Sequence, residues 1–206
     1  MKNILAIGAH PDDIEISCLG YLLKNDKRNK TKISVFIASN GSLKDPTSGI
    51  QRIKESENAL KCIKNLSFNY RNQKGIKISD FENISNKIRK LILSINPNEI
   101  LVHDPNDTHN EHSLVYDIVK TASRRLTINL IRYRSISSSN DFKANLYIDV
   151  KDYLALKKKS LKFHKSQQFH EYFSDKYIES FHNNFFAYNR GIKISEAFFE
   201  EFKFLR

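Results

Sequence analysis

Two short stretches concentrate the residue types that do hydrolytic or metal chemistry. The first, AHPDDIE from Ala9 to Glu15, places one imidazole and three carboxylates directly after an apolar run. The second, HDPNDTHNEH from His103 to His112, carries three histidines and three acidic residues. If a strand stops at His10 and a helix begins near Asp13, the sharp turn, stiffened by Pro11, lets His10 and Asp13 converge beyond the strand end with Asp12 beside them. Two ligands leave a metal site incomplete. His109 and His112 are three apart, so both face one pocket if Glu111 opens a helix. One of these imidazoles together with His10 and Asp13 gives two histidines and one aspartate, a set that suits a zinc ion keeping one position open for water.

Simpler readings compete residue by residue. Asp12 or Asp13 alone is as commonly a helix N-cap. His103, at a strand end, reads as packed or hydrogen-bonded rather than ligating, and His164, His170 and His182 have no partner at a useful spacing. Two such clusters, each at a strand end, are harder to reduce to capping.

The elements needed to bring the clusters together are visible in the hydrophobic pattern. Asn3 to Ala9, Lys32 to Ser39, Leu66 to Tyr70 and Glu99 to His103 read as strands, mostly too apolar to have a wet face. Helical patterns lie between them at Ile14 to Asn25, Gln51 to Lys64 and Phe81 to Ile95, with Glu111 to Arg125 after the fourth strand. In Phe81 to Ile95 the apolar positions Ile84, Ile88, Leu91 and Ile95 recur at helical spacing, and Asn96-Pro97 stops the run. This order predicts an α/β fold, a Rossmann-like and mostly parallel sheet with helices on both faces, in which ligands bind at the carboxyl ends of strands. Further on, Asn129 to Tyr133 and Leu146 to Val150 read as strands and Asp152 to Gln168 as a basic helix. The aromatic stretch from Tyr172 leads to a final strand near Lys193 to Phe198. With 206 residues, 40% hydrophobic, and no internal repeat or linker, residues 1–206 are expected to form a single domain.

Lys and Arg outnumber Asp and Glu by 34 to 23, a net charge of +11. The basic residues are dispersed among Asn and Ile, which favours a solvated surface over a nucleic-acid interface. Cys18 and Cys62 form no CxxC pair and are expected to be reduced thiols. No apolar run is long enough to span a bilayer, and MKNILAIGAH is too short for a signal peptide, so the expected location is cytoplasmic.

AHPDD after a first strand, with the later DxHxxH at Asp107 to His112, resembles the PIG-L/LmbE-like family of zinc-dependent N-deacetylases. RIKESENAL (Arg52 to Leu60) is similar to the family's RxxExxxA helix. HKSQ (His164 to Gln167) and RGIKISEAFF (Arg190 to Phe199) resemble its C-terminal elements. The sequence departs from the family pattern at Ser17 and Leu19, where glycines are common. The loop SNGSLKDPTSG lacks the usual TxGE element, and Glu111 stands where Asp is usual.

The resemblance implies one Zn2+ per chain on His10, Asp13 and His112, with other divalent metals as substitutes. It implies Asp12 as general base and His109 as an imidazolium stabilising the oxyanion, held charged by Glu111. Asp107 is the candidate partner behind a ligand, and Arg52 the candidate for a polar or anionic substrate group, against a simple helix-surface ion pair with Glu55. The expected reaction is removal of the acetyl group from a GlcNAc-type amino sugar or its conjugate. A hydrolase of another bond, such as a phosphoester, would use the same metal, commonly as a pair of ions. A basic nucleic-acid-binding module is the non-enzymatic alternative, with no recognised signature to support it. The expected partner is thus a small N-acetylated sugar, with no specific nucleic acid and no membrane span; a homo-oligomer is left open.

Overall fold

In a computed structural model, which describes residues 1–27, 30–42 and 46–204, the chain forms a seven-stranded, mostly parallel sheet flanked by helices. β1 (Lys2–Gly8) runs through its centre. Its residues Ile4 to Gly8 are all buried, because a parallel strand covered on both faces has no solvent side. Alternation still sorts them. Ile4 and Ala6 pack with Leu19 and Leu22 of α2 (Leu19–Asp26) and Ile53 and Leu60 of α3 (Pro46–Leu60). Leu5 and Ile7 pack on the other face with Ile84, Ile88 and Ile92 of α4 (Phe81–Ile95) and Val115, Ile118 and Val119 of α5 (Asn110–Ala122).

The chain winds outward from β1 to β2 (Thr31–Ile37) and β3 (Leu66–Tyr70), then returns to the other side of β1 with β4 (Glu99–Val102) and β5 (Asn129–Tyr133), all parallel. β7 (Ser195–Phe202) lies antiparallel between β5 and β6 (Leu146–Asp149), giving the order β3-β2-β1-β4-β5-β7-β6. The winding reverses between β1 and β4, so the loops leaving their carboxyl ends diverge and open a crevice. Residues 9–12 and 103–109 are those loops.

Two expected helices are shorter than their patterns. The run from Ile14 to Asn25 divides at Cys18 into α1 (Asp13–Ser17) and α2. The carboxylate of Glu196, from β7, accepts from the backbone N–H groups of Gly20 (2.8 Å) and Tyr21 (2.7 Å), so it satisfies the start of a new helix where the pattern alone predicts continuation. Gly20 also admits Val150, which a Cβ there would meet at 2.7 Å. The basic run from Asp152 to Gln168 yields α6 (Leu154–Leu161) between 3-10 turns at Lys151–Tyr153 and Lys165–Gln167. One of its lysines is not solvated: Lys157 is fully buried with Nζ 2.6 Å from Glu196. After it come α7 (Asp175–His182) and the short α8 (Phe185–Tyr188). Cys18 and Cys62 are free thiols, and no helix among the described residues is long and apolar enough to cross a membrane.

Adjacent lysines should therefore differ sharply. Lys157→Ala strands a buried carboxylate and should lower the unfolding free energy in urea by about 3–5 kcal/mol. Lys158→Ala removes a pair with Glu179, whose side chain is largely exposed, and should cost under about 1 kcal/mol. Burial, reinforced by the charge of Lys157, holds His182 well below the ordinary imidazole value of 6.5. Its contribution to stability is complete above that value and falls away as the pH drops below it, because the unfolded chain then binds the extra proton. His182→Leu should flatten the dependence of unfolding free energy on pH between pH 6.5 and 5.

Candidate active site

The turn after β1 sends its two aspartates in different directions. The Asp13 carboxylate accepts from the His10 backbone N–H at 2.7 Å, and Asp12 takes φ 119°, a left-handed conformation costly for a residue with a Cβ. Asp12 occupies the N-cap position of α1, yet its side chain makes no capping bond. Its Oδ2 instead lies 3.2 Å from the guanidinium of Arg52, which also donates to the carbonyls of Gly41 (2.6 Å) and Pro11 (3.2 Å). Arg52 is thus committed to the turn and not to a helix-surface pair with Glu55. The Glu55 carboxylate accepts from Ser166 N–H (3.0 Å) and Oγ (2.6 Å).

Opposite, α5 starts with His109 as its cap. The His109 Nδ1 accepts from the Glu111 N–H at 3.3 Å, and one turn of helix stacks the His109 and His112 rings at 4.5 Å. His112 Nε2 lies 3.3 Å from Asp13 Oδ1 and 3.3 Å from His10 Nδ1, while His10 Nδ1 is 3.6 Å from Asp13 Oδ2. Ligand atoms bound tetrahedrally at about 2.0–2.1 Å from zinc stand about 3.3–3.5 Å apart, and the two distances from His112 Nε2, to His10 Nδ1 and to Asp13 Oδ1, match that spacing, while His10 lies slightly farther from the other Asp13 oxygen. Among the described residues two groups could hold a metal, His10 with His109 and His112, and Asp13 with His103 and His112. Both contain His112, and the remaining members of the expected set are divided between them, His10 in the first and Asp13 in the second.

Each side of this cluster is braced. His112 Nδ1 faces Asp107 Oδ2 and Ser137 Oγ, both at 3.1 Å, which leaves Nε2 directed at the other donors. Asp107 in turn accepts from Ser135 Oγ (2.5 Å) and the His109 N–H (2.9 Å). His103, fully buried, stacks on His112 at 3.8 Å; its Nε2 accepts from the Ala9 N–H at 3.1 Å and also touches Asp13, so it supports the ring beside it. The Glu111 carboxylate is not on His109: it sits 2.8 Å from His10 Nε2.

Electrostatics follow from that packing. Burial opposes charge on His112, but Asp13 and Asp107 outweigh it and push the imidazole up to about 10. Burial also opposes charge on Asp13, and there His112 and His103 prevail, holding the carboxyl well below the usual range. Burial raises Asp12, against the opposing charge of Arg52 and with that of Asp13, to about 6. Burial and the neighbouring His112 and His10 lower His109, the direction opposite to a standing imidazolium.

These groups open into a cavity of about 480 Å³ whose far wall carries Gln167, His170 and Tyr172, with Lys74 and Ile136 at its sides. A larger cavity, about 650 Å³, lies by the end of α5 and β7 and holds no such cluster, so volume alone does not locate the chemistry. The sequence reading did not assign these wall residues. It also left His164 without a partner, whereas the ring is fully buried with Nε2 3.2 Å from Glu15 Oε1, which accepts from Ser56 Oγ at 2.5 Å. The two lie 149 positions apart, and the signal available for them was that each belongs to a family-like motif. In the loop from Ser39 to Gly49, where a TxGE element is lacking, residues 43–45 lie outside the described residues.

Comparison with known proteins places these observations among relatives. The family model PIG-L: GlcNAc-PI de-N-acetylase matches residues 5–123, which include both clusters. The chain is 30% identical over 177 residues to the uncharacterized deacetylase YaiS of Escherichia coli (strain K12), covering 80% of this chain and 91% of that protein. Among solved structures, N,N'-diacetylchitobiose deacetylase from Pyrococcus horikoshii is similar with a TM-score of 0.71 at 18% identity, over 96% of this chain and 82% of that one. GalB, the 4-carboxy-2-hydroxymuconate hydratase of Pseudomonas putida KT2440, has a TM-score of 0.80 at 12% identity, over 100% and 98%. At these identities the structural likenesses concern the fold.

Proposed function

The chain belongs to the PIG-L (GlcNAc-PI de-N-acetylase) family and is a deacetylase, and from that premise we propose that it hydrolyses the acetamide of an N-acetylated amino sugar or its conjugate with one zinc ion held by His10, Asp13 and His112. The observation that carries this reading is the convergence of His10 Nδ1 and Asp13 Oδ1 on His112 Nε2, each at 3.3 Å, on the edge of the cavity. A divalent cation bound there supplies Lewis-acid activation of water and of the amide carbonyl.

The protein's own groups account for the proton traffic. Asp12, at about 6, is matched to accept a proton from the attacking water near neutral pH and to return it to the leaving amine, so that amide and water become amine and acetate. Arg52 fixes the direction of that carboxylate. In His109 the Glu111 N–H occupies Nδ1, so the neutral ring carries its proton on Nε2 and can donate it as a hydrogen bond to the tetrahedral oxyanion. This neutral donor replaces the imidazolium that the family resemblance implies. The cavity wall, with amide, imidazole and phenol groups, suits the hydroxyls and ring of a sugar.

One ion per chain would separate this reading from a two-ion phosphoesterase. Dialysed protein reloaded with zinc should hold about one ion per chain; two ions, or none, would overturn the metal reading. Asp107→Ala should weaken zinc binding about 10- to 100-fold by freeing the His112 ring. Asp12→Asn should keep its zinc and lose turnover about 10²- to 10⁴-fold, while Asp13→Asn should lose the zinc. His109→Ala should keep zinc and ground-state affinity and lose rate. Free-amine release from a panel of N-acetylated sugars and their conjugates, by zinc-loaded protein, tests the substrate class; zinc-loaded protein inactive on the whole panel would sink it.

A further inference from the structure

Glu111 reaches across the crevice, from the first turn of α5 to the loop after β1, and its environment is built to receive it. One carboxylate oxygen lies 2.8 Å from His10 Nε2. The other lies against Gly75, where an added Cβ would come within 2.9 Å of Oε1, and the backbone N–H of Ile76 faces the same carboxylate. Gly75 belongs to the connection between β3 and α4, and that connection is itself anchored. Arg71 donates to the Gly75 carbonyl at 3.0 Å and pairs with Asp80 at 3.1 Å, its backbone N–H donates to Ile37 O at 2.9 Å, and the Asn40 N–H donates to Gln73 O at 2.8 Å. An added Cβ at 75 would meet the Glu111 carboxylate, so the end of that side chain would have to move.

We infer that Glu111 is a positioning residue for His10, and that the β3–α4 connection sets its reach by presenting Gly75 and the Ile76 N–H. The inference rests on the reading of His10 as a metal ligand. A neutral imidazole has one proton for two nitrogens. With a carboxylate accepting from Nε2–H, the Nδ1 lone pair is left for coordination; with no acceptor there, the proton is free to occupy Nδ1 and block it. Asp107 does the same for His112 from the opposite nitrogen. Each ligand histidine thus has its own carboxylate, and the two come from one segment, 107–111. On this reading length matters at position 111: the Glu111 N–H caps His109 while the carboxylate reaches His10 Nε2, so a side chain one methylene shorter is expected to lose the contact with His10.

The experiment measures zinc affinity by chelator competition, with the unfolding midpoint of the metal-free protein as a check on folding. Glu111→Ala and Glu111→Asp should each weaken zinc binding about 10- to 100-fold. Glu111→Gln, which keeps the reach and an acceptor oxygen, should fall much less. Reach therefore ranks Gln above Asp, whereas a purely electrostatic role ranks Asp above Gln. Gly75→Ala should weaken zinc binding in the wild-type background and add no further loss to Glu111→Ala, since both act through one contact. Wild-type affinity in Glu111→Asp, or additive losses for Gly75→Ala and Glu111→Ala, would overturn the inference. His10→Ala distinguishes the two levels: if it retains zinc, the ligand reading has failed; if it loses zinc while Glu111→Asp binds normally, the positioning role alone has failed.

Discussion

The structure around the crevice depends on burying one carboxylate. Asp13 sits at the end of the central strand with little solvent, and a buried anion is tolerated when opposite charge and hydrogen bonds replace its water. The His10 N–H and His112 gather on it, with the His103 ring packed alongside. Asp13 and Asp107 push the His112 imidazole up to about 10, so a proton there helps to balance the buried anion. A divalent ion would take the place of that proton. The same demand explains local features that are otherwise unfavourable. The left-handed Asp12 lets consecutive aspartates face different partners, and the close approach of Gly8 to the Asp13 Cβ, 3.2 Å from an added Cβ, lets α1 start directly over the strand.

The sheet topology supplies the second half of the arrangement. Because the winding reverses between β1 and β4, a ligand set can draw on two loops that are remote in sequence and adjacent in space. His10 and Asp13 come from one loop. His112 and both proposed bracing carboxylates come from the other or from the helix it feeds. Such a frame does not select a reaction: a hydratase shares it with a TM-score of 0.80. The chemistry of this chain is carried by the side chains at the reversal, where adjacent aspartates meet different surroundings, Asp13 held low by His112 and His103 and Asp12 raised by burial.

How legible each part was follows from the range of the interaction that makes it. The order of strands and helices could be read because hydrophobic period reports local burial, as in Ile84 and Ile88, which are buried; the other two positions in that pattern, Leu91 and Ile95, are half-buried, and Ile92 is buried beside them. The two clusters could be read because their members lie within a few residues of each other. What escaped were polar partners distant in sequence. The break at Cys18 is made by Glu196, nearly the whole chain away. Lys157 stands in the run Lys157-Lys158-Lys159 and looks like its solvated neighbours, yet it is the one that pairs with Glu196. The family resemblance pairs Glu111 with His109, two residues away, whereas its side chain crosses the crevice to His10. Spacing gives the face of a helix from which a residue starts, not the distance its side chain travels.

The same distant polar contacts divide the cavity into two unequally constrained halves. The half bearing His10, Asp13 and His112 lies within residues 5–123, the span matched by the family model. The opposite wall, with Gln167, His170 and Tyr172, lies beyond it. That wall is tied back by two contacts, His164 to Glu15 on α1 and Ser166 to Glu55 on α3, and neither uses a group of the proposed ligand set. Residues projecting from the wall can therefore change without moving the donors, provided the two ties remain. A buried histidine on a buried glutamate and a serine on a carboxylate are costly to disturb, because breaking either leaves an unsatisfied buried group. The ties hold the wall's position independently of the donors on the opposite side of the cavity.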